Sequence, residues 1–220
     1  MRKVLILAGI ATAAISQALV IDNFTDGSFD TGDLSGVGTY NYFQNAAPAN
    51  VLGGRRDVQV DIVSNPLAAV SRLRMEATGG LAAVSQGSFL TGRQTLKYGF
   101  TADLNQNMTV YDRFELGVIF NDLAPLVATA TVYTSGGGSS SHTVNIPAVA
   151  AIVPQIFTFS FASFVGTGNF ADVDRIDLRF APQTGGDYTL TSFEAVPEPA
   201  SLVAIGIGLA GVLARRRRKS

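Results

Sequence analysis

The central part of this 220-residue sequence predicts an all-β fold, an antiparallel two-sheet sandwich of jelly-roll type. Three observations predict it. Apolar residues recur with a period of two along most of the chain, glycine-rich turn signals interrupt those runs at short intervals, and no run with helical periodicity lies between them. A parallel sheet would need helices alternating with the strands, so what remains is roughly ten short antiparallel strands, each burying one face.

The chain begins with a segment outside that fold. Arg2 and Lys3 form a positive start, residues 4–15 an apolar stretch, and Ser16-Gln17-Ala18 a small-x-small cleavage site. This reads as a signal-peptide helix cut after Ala18, so the mature chain starts Leu19-Val20-Ile21-Asp22. The strands follow in order. Val58, Val60 and Ile62 alternate with Asp57, Gln59 and Asp61, and Leu73, Met75 and Ala77 alternate with Arg72, Arg74 and Glu76. Leu96, Tyr98 and Phe100 share one face, as do Phe114, Leu116, Val118 and Phe120. Val144 with Ile146, then Phe157, Phe159 and Phe161, and lastly Ile176, Leu178 and Phe180 opposite Arg175, Asp177 and Arg179 complete the series. Gly53-Gly54, Asn65-Pro66, Gly79-Gly80, Gly166-Thr167-Gly168 and Gly185-Gly186 separate them, and residues 135–141, SGGGSSS, read as a hairpin tip.

The last 25 residues have a different organisation. Val196-Pro197-Glu198-Pro199 is followed by an uncharged run over 200–214, then by Arg215, Arg216, Arg217, Arg218 and Lys219. As a helix the uncharged run spans about 22 Å, short of a hydrocarbon core of about 30 Å, and the long arginine side chains narrow the gap by snorkelling. Cations beside a span stay on the cytoplasmic side, so the rest of the chain faces away from the cytoplasm. Pro197 and Pro199 lack donors and hold Val196 and Glu198 extended, which suits capture by a processing enzyme. The expected division is therefore a signal peptide at 1–18, a sandwich at 19–195 and a sorting and anchoring segment at 196–220 that includes a short transmembrane helix.

In this order of Pro-Glu-Pro, hydrophobic helix and arginine cluster, the tail resembles the PEP-CTERM sorting signal of exported bacterial proteins. The resemblance implies processing by an exosortase at the cell envelope, after export and signal peptidase cleavage, and a final place in the envelope or extracellular matrix. It implies an address without an activity. The body resembles exported β-proteins that carry this tail, in Ile21-Asp22-Asn23-Phe24-Thr25-Asp26-Gly27, Gly53-Gly54-Arg55-Arg56-Asp57 and Asp172-Val173-Asp174-Arg175-Ile176-Asp177-Leu178. That likeness implies a jelly roll of the kind seen in carbohydrate-binding modules.

Composition narrows the function classes. Seven of the 16 cations lie in Arg2, Lys3 and the tail cluster, so residues 19–199 carry nine against all 17 acids, a net charge of −8. Nucleic-acid binding needs a basic footprint and is disfavoured. With no cysteine there is no disulfide, thiolate metal site or cysteine nucleophile. His142 is the single histidine and reads as a residue at the hairpin tip, unable to make a multi-histidine zinc site and poorly placed for a triad.

The remaining candidates are ligand groups. Tyr40 and Tyr42 would share a strand face and present two rings to a sugar, with Tyr111 and Tyr133 as further platforms, while the 14 phenylalanines read mainly as core. Asp22 and Asp26 crowd the mature N-terminus, and the module resemblance pairs them with Asp187 as a candidate structural Ca²⁺ site, since hard oxygen ligands suit that ion. No other cofactor is expected. The reading is a non-catalytic envelope or matrix protein linked to exopolysaccharide and biofilm; the alternatives are a glycan-binding module and an exported glycoside hydrolase or lyase, for which no carboxylate pair stands out.

Overall fold

A computed structural model describes residues 17–198. The predicted signal helix, the apolar run of the tail, Pro199, Arg215, Arg216, Arg217, Arg218 and Lys219 lie outside the described residues. Among the described residues no helix is long and apolar enough to cross a membrane.

The chain forms β1 (Leu19–Asp22), β2 (Phe29–Asp30), β3 (Gly38–Asn45), β4 (Arg55–Ser64), β5 (Leu73–Thr78), β6 (Leu81–Gln86) and β7 (Thr91–Tyr98). There follow β8 (Arg113–Asn121), β9 (Leu126–Thr134), β10 (Ser139–Ile146), β11 (Val149–Ser160), β12 (Val165–Gly166), β13 (Val173–Ala181) and β14 (Tyr188–Val196). One sheet runs β11-β8-β14-β6-β5-β2, with β1 also beside β14; the other runs β12-β10-β9-β13-β7-β4-β3. All pairings are antiparallel, and the chain crosses repeatedly between the two sheets, as the predicted sandwich requires.

The inward phase of the strands is the one the alternation marks. Val58, Val60, Ile62, Leu73, Met75, Leu96, Ile176, Leu178 and Phe180 are buried together with Leu116, Val118, Leu190 and Phe193 in one core. Two polar links cross it. The Tyr188 hydroxyl of one sheet donates to Gln94 Oε1 of the other at 2.8 Å. Arg56 of β4, with no exposed surface, forms a bidentate pair with Asp22 of β1, and the Tyr98 hydroxyl donates to the same carboxylate at 2.9 Å. Burial, and then the Asp22 charge, raises the Tyr98 pKa well above the ordinary phenol value.

Three sequence expectations change. Phe100 does not continue the face of Leu96 and Tyr98: β7 ends at Tyr98, Gly99 takes φ +81°, and Phe100 is 53% exposed beside Lys97 and Arg175. A side chain at Gly99 would have its Cβ 2.2 Å from the Asp174 carbonyl, so the turn requires glycine. Phe120 leaves the core because Val118 pairs with Leu190 and Phe120 with Thr189; Ile119 is an extra residue, and this bulge turns Phe120 to the outer face, 39% exposed. His142 is no tip residue: β10 begins at Ser139, and the imidazole points inward, edge-on to Phe159 at 5.9 Å and Phe164 at 5.7 Å.

Phenylalanines close the end of the sandwich from which the tail departs. Phe161 and Phe170 stack at 3.7 Å, and Phe114 and Phe164 pack edge-on around them. Phe161 N–H bonds the Asp112 carbonyl at 2.8 Å, so this cluster buttresses the corner where β8 begins.

Candidate functional site

The sorting segment begins without a linker. Strand β14 stays paired with β8 to its last residue, Val196 opposite Arg113, and Asp112 N–H donates to the Val196 carbonyl at 3.0 Å. One Arg113 amino group donates to the Pro197 carbonyl at 3.4 Å, while the same guanidinium pairs with Asp112 at 2.8 Å and Glu115 at 2.7 Å. The Glu115 bond, before the Asp112 charge, raises the Arg113 pKa. Proline at 197 ends the ladder, since it has no N–H to continue it. On the other side of β14 strand β1 runs antiparallel, with Leu19 opposite Ala195 and Val20 opposite Glu194. The first strand of the body and the end of its last strand therefore lie side by side, Leu19 next to Ala195.

The other sequence candidates disperse. Tyr40 and Tyr42 pair with Val60 and Val58, so they carry the inward phase of β3 and pack against the core, while Thr39, Asn41 and Phe43 face out. The Tyr40 hydroxyl donates to the Gly36 carbonyl at 2.9 Å, and the Tyr42 hydroxyl points to that of Thr31 at 3.4 Å. Asp22 is occupied by Arg56, and Asp26 accepts from Gly27 N–H at 2.8 Å and Ala47 N–H at 2.6 Å, bonds that lower its pKa, Ala47 first. Asp187 accepts from Gln86 N–H at one end of β6, whereas Gly80 N–H, at the other end, bonds Phe24 beside Asp22. Six strand residues, about 20 Å, separate the two places, so the carboxylates proposed for Ca²⁺ do not meet.

Each outer face carries a groove instead. One, of about 450 Å³, lies across β5, β6, β14 and β8, with Arg74, Glu76, Ser85, Thr189 and the everted Phe120 on its lining. The other, of about 400 Å³, crosses β4, β7, β13 and β9. There Arg175 lies 4.5 Å from the Tyr133 ring and 4.8 Å from Phe100, while pairing through two oxygens with Asp177. Lys97 Nζ donates to Gln59 Oε1 at 2.7 Å, and Gln59 and Thr39 both donate to Asp61. Burial, then the Asp177 charge, raises the Tyr133 phenol pKa. Thr95, Thr129 and Thr131 line the floor between these groups. The result is a hydroxyl, amide and ion-pair surface with one flat ring, suited to multiple weak polar contacts. Strand periodicity placed Arg175, Asp177 and Arg179 outward; only the adjacency of β13 to β7 and β9 brings Lys97 and Tyr133 to them.

A bulge in β13 sets apart one more acid. Val173 pairs with Thr134 and Arg175 with Tyr133, which leaves Asp174 between them, buried and with Oδ1 unpartnered among the described residues. Burial, then the Asp172 and Asp103 charges, pushes its carboxyl above the usual range. An acid whose folded-state pKa is raised weakens the fold while ionised, and the cost disappears as pH falls from that value through the unfolded one. Asp174→Asn will therefore raise the melting temperature at pH 7, and the gain will vanish in melts at pH 3, where both states are protonated.

Residues 195–219 match the model of the PEP-CTERM protein-sorting motif. This motif implies an exported protein anchored at the membrane before processing. No curated protein matches the sequence. Among solved structures, the family 11 carbohydrate-binding module of the cellulosomal cellulase Lic26A-Cel5E of Clostridium thermocellum aligns with TM-score 0.42 and 12% identity, over 82% of this chain and 95% of that one. A family 29 carbohydrate-binding module aligns with TM-score 0.33 and 12% identity, over 81% and 87%. The agarase AgWH50C aligns with TM-score 0.40 and 9% identity, over 77% of this chain and 24% of that one.

Proposed function

We propose that this chain is an exported, non-catalytic envelope or matrix protein, held in the inner membrane by its C-terminal segment and cut there by an exosortase, with the sandwich acting outside as a structural or interaction body. One observation carries the reading: a sorting motif matched over residues 195–219 begins where the last strand of a folded domain ends. Signal peptidase and the export machinery are its earlier partners, and the site of action is the cell envelope or a surrounding polysaccharide matrix. Replacement of Pro197, Glu198 and Pro199 by alanine tests it, as argued below.

A second reading, glycan binding, is favoured by the groove over β4, β7, β13 and β9. Its ion pairs, threonines and Tyr133 ring match the alternating hydroxyls and apolar faces of a polysaccharide. Removal of a ring from such a platform costs about 1 kcal/mol or more. Tyr133→Ala and Arg179→Ala will each weaken retention of the exported protein on extracellular polysaccharide in affinity electrophoresis, whereas Phe120→Ala on the opposite face will not. Equal retention of all three variants defeats this reading.

A further inference from the structure

Charge is spread unevenly over the body. Of the nine cations in residues 19–199, five belong to the outer face of the sheet that holds β4, β7 and β13: Arg55, Arg93, Lys97, Arg175 and Arg179. Asp57, Asp61 and Asp177 are the acids interspersed with them, Asp174 being buried at the β13 bulge. These groups sum to +2 on a body of −8, which leaves −10 for the rest. The cations elsewhere are all engaged. Arg56 holds the buried Asp22, Arg74 pairs with Asp30 and Glu76, Arg113 with Asp112 and Glu115, and Arg72 donates to the carbonyls of Ala68, Ala69 and Ser71. On the basic face Arg55 holds Asp57 and Arg175 holds Asp177, so Arg93, Lys97 and Arg179 have no ion pair among the described residues.

The sheet register brings these three together. Arg179 stands opposite Thr95 of β7 and Thr129 of β9, with no acid across from it. Arg93 and Lys97 flank Thr95 on the same strand face, so each is a diagonal neighbour of Arg179 at about 7–8 Å, and about 13 Å of strand separates the two. Arg93 and Arg179 are exposed, and Lys97 stands 4.6 Å over Phe100. Asp61, opposite Arg93, is turned to Thr39 and Gln59.

We propose that this groove takes an acidic polysaccharide, with carboxylates of its sugar units seated on Arg93, Arg179 and Lys97 and its hydroxyls on the threonines and Asp61. The inference rests on the glycan-binding reading above and adds the charge class of the polymer. A guanidinium with no internal partner offers its fork to a carboxylate through two hydrogen bonds. Three such cations spaced along the sheet match a charge that repeats along a chain, whereas a neutral glycan gains nothing from them. A nucleic acid also brings a repeating charge. Asp61 and Asp177, however, repel phosphates and accept from hydroxyls, which a DNA backbone lacks. The negative remainder of the body turns a polyanion away from its other surfaces, so the polymer runs over this face.

The test measures equilibrium binding of the exported protein, recovered from its producing cells, to the extracellular polysaccharide of those cells fixed on beads. The polymer is used native or with its carboxyls reduced to alcohols. Wild-type protein is expected to bind the native polymer about tenfold or more tighter than the reduced one, the combined effect of two or three exposed ion pairs. Arg93→Gln, Lys97→Gln and Arg179→Gln will each lower affinity for the native polymer by about two- to fivefold. Arg93→Gln with Arg179→Gln will bring the two polymers nearly level. Arg74→Gln makes the same change in net charge as one of these on the opposite face, and will leave the preference intact. Because Arg93 and Arg179 are exposed, their variants keep the wild-type melting curve, and affinity is read on folded protein. Equal binding of wild type to both polymers overturns the proposal and leaves glycan binding standing. A preference that survives the double substitution, or tighter binding to double-stranded DNA fixed on the same beads, also overturns it. Absence of binding to either polymer defeats the glycan-binding reading itself.

Discussion

Asp22→Ala is expected to destabilise the sandwich by about 3–5 kcal/mol, the usual cost of leaving a buried charge without its partner. Both side chains of the Asp22–Arg56 pair are fully shielded from solvent, so the lost carboxylate would leave the guanidinium buried without its partner. Arg56 also donates to the Gly27 carbonyl at 3.0 Å and lies over Phe24 at 5.2 Å and Phe29 at 5.9 Å, so it organises the whole turn that follows β1. For a domain of this size the loss corresponds to a fall in melting temperature of roughly 10 °C. Calorimetry of the released protein at pH 7 measures it. A double replacement, Asp22→Leu with Arg56→Met, is expected to recover much of the loss, because it removes the stranded charge as well as the attraction. A fall of under about 1 kcal/mol in the single variant would mean that Arg56 finds water, and that the pair is less enclosed than its geometry indicates.

Replacing Pro197, Glu198 and Pro199 by alanine is expected to leave the full-length C-terminus, ending at Ser220, in the inner-membrane fraction, with little or no released protein. The effect approaches all-or-none because recognition of a short extended motif depends on two residues that cannot fold back into helix. Alanine favours helix and would allow the apolar run to extend upstream toward Val196. The body should be unaffected, since β14 is paired through Val196 and the replaced residues follow it. Identical melting curves for the soluble bodies, combined with retained tail mass, support the reading; unchanged release and mass defeat it.

How much of this was legible beforehand depends on whether a feature is local. The alternation at Val58, Val60 and Ile62 or at Ile176, Leu178 and Phe180 reports one buried face per strand, and those residues are in the core. The same rule failed at Phe120 because a bulge inserts one residue against the partner strand, and a period of two carries no warning of that. It failed at Phe100 because the turn at Gly99 is dictated by the approach of the Asp174 carbonyl from another strand. Tyr40 and Tyr42 did share a face, as their spacing required. Which face that is follows from their pairing with Val60 and Val58.

By itself the sequence determined the class of fold and the sorting motif, because these depend on periodicity and a contiguous string of residues. The tertiary structure alone decided that β1 lies beside the end of β14, that Asp22 pairs with Arg56, and that Lys97, Tyr133 and Arg175 share a groove. Each of these is a contact between residues far apart in the chain. Antiparallel pairing fixes such contacts only after the order of strands in the sheet is set, and the cost of closing the intervening loops leaves no mark on local composition.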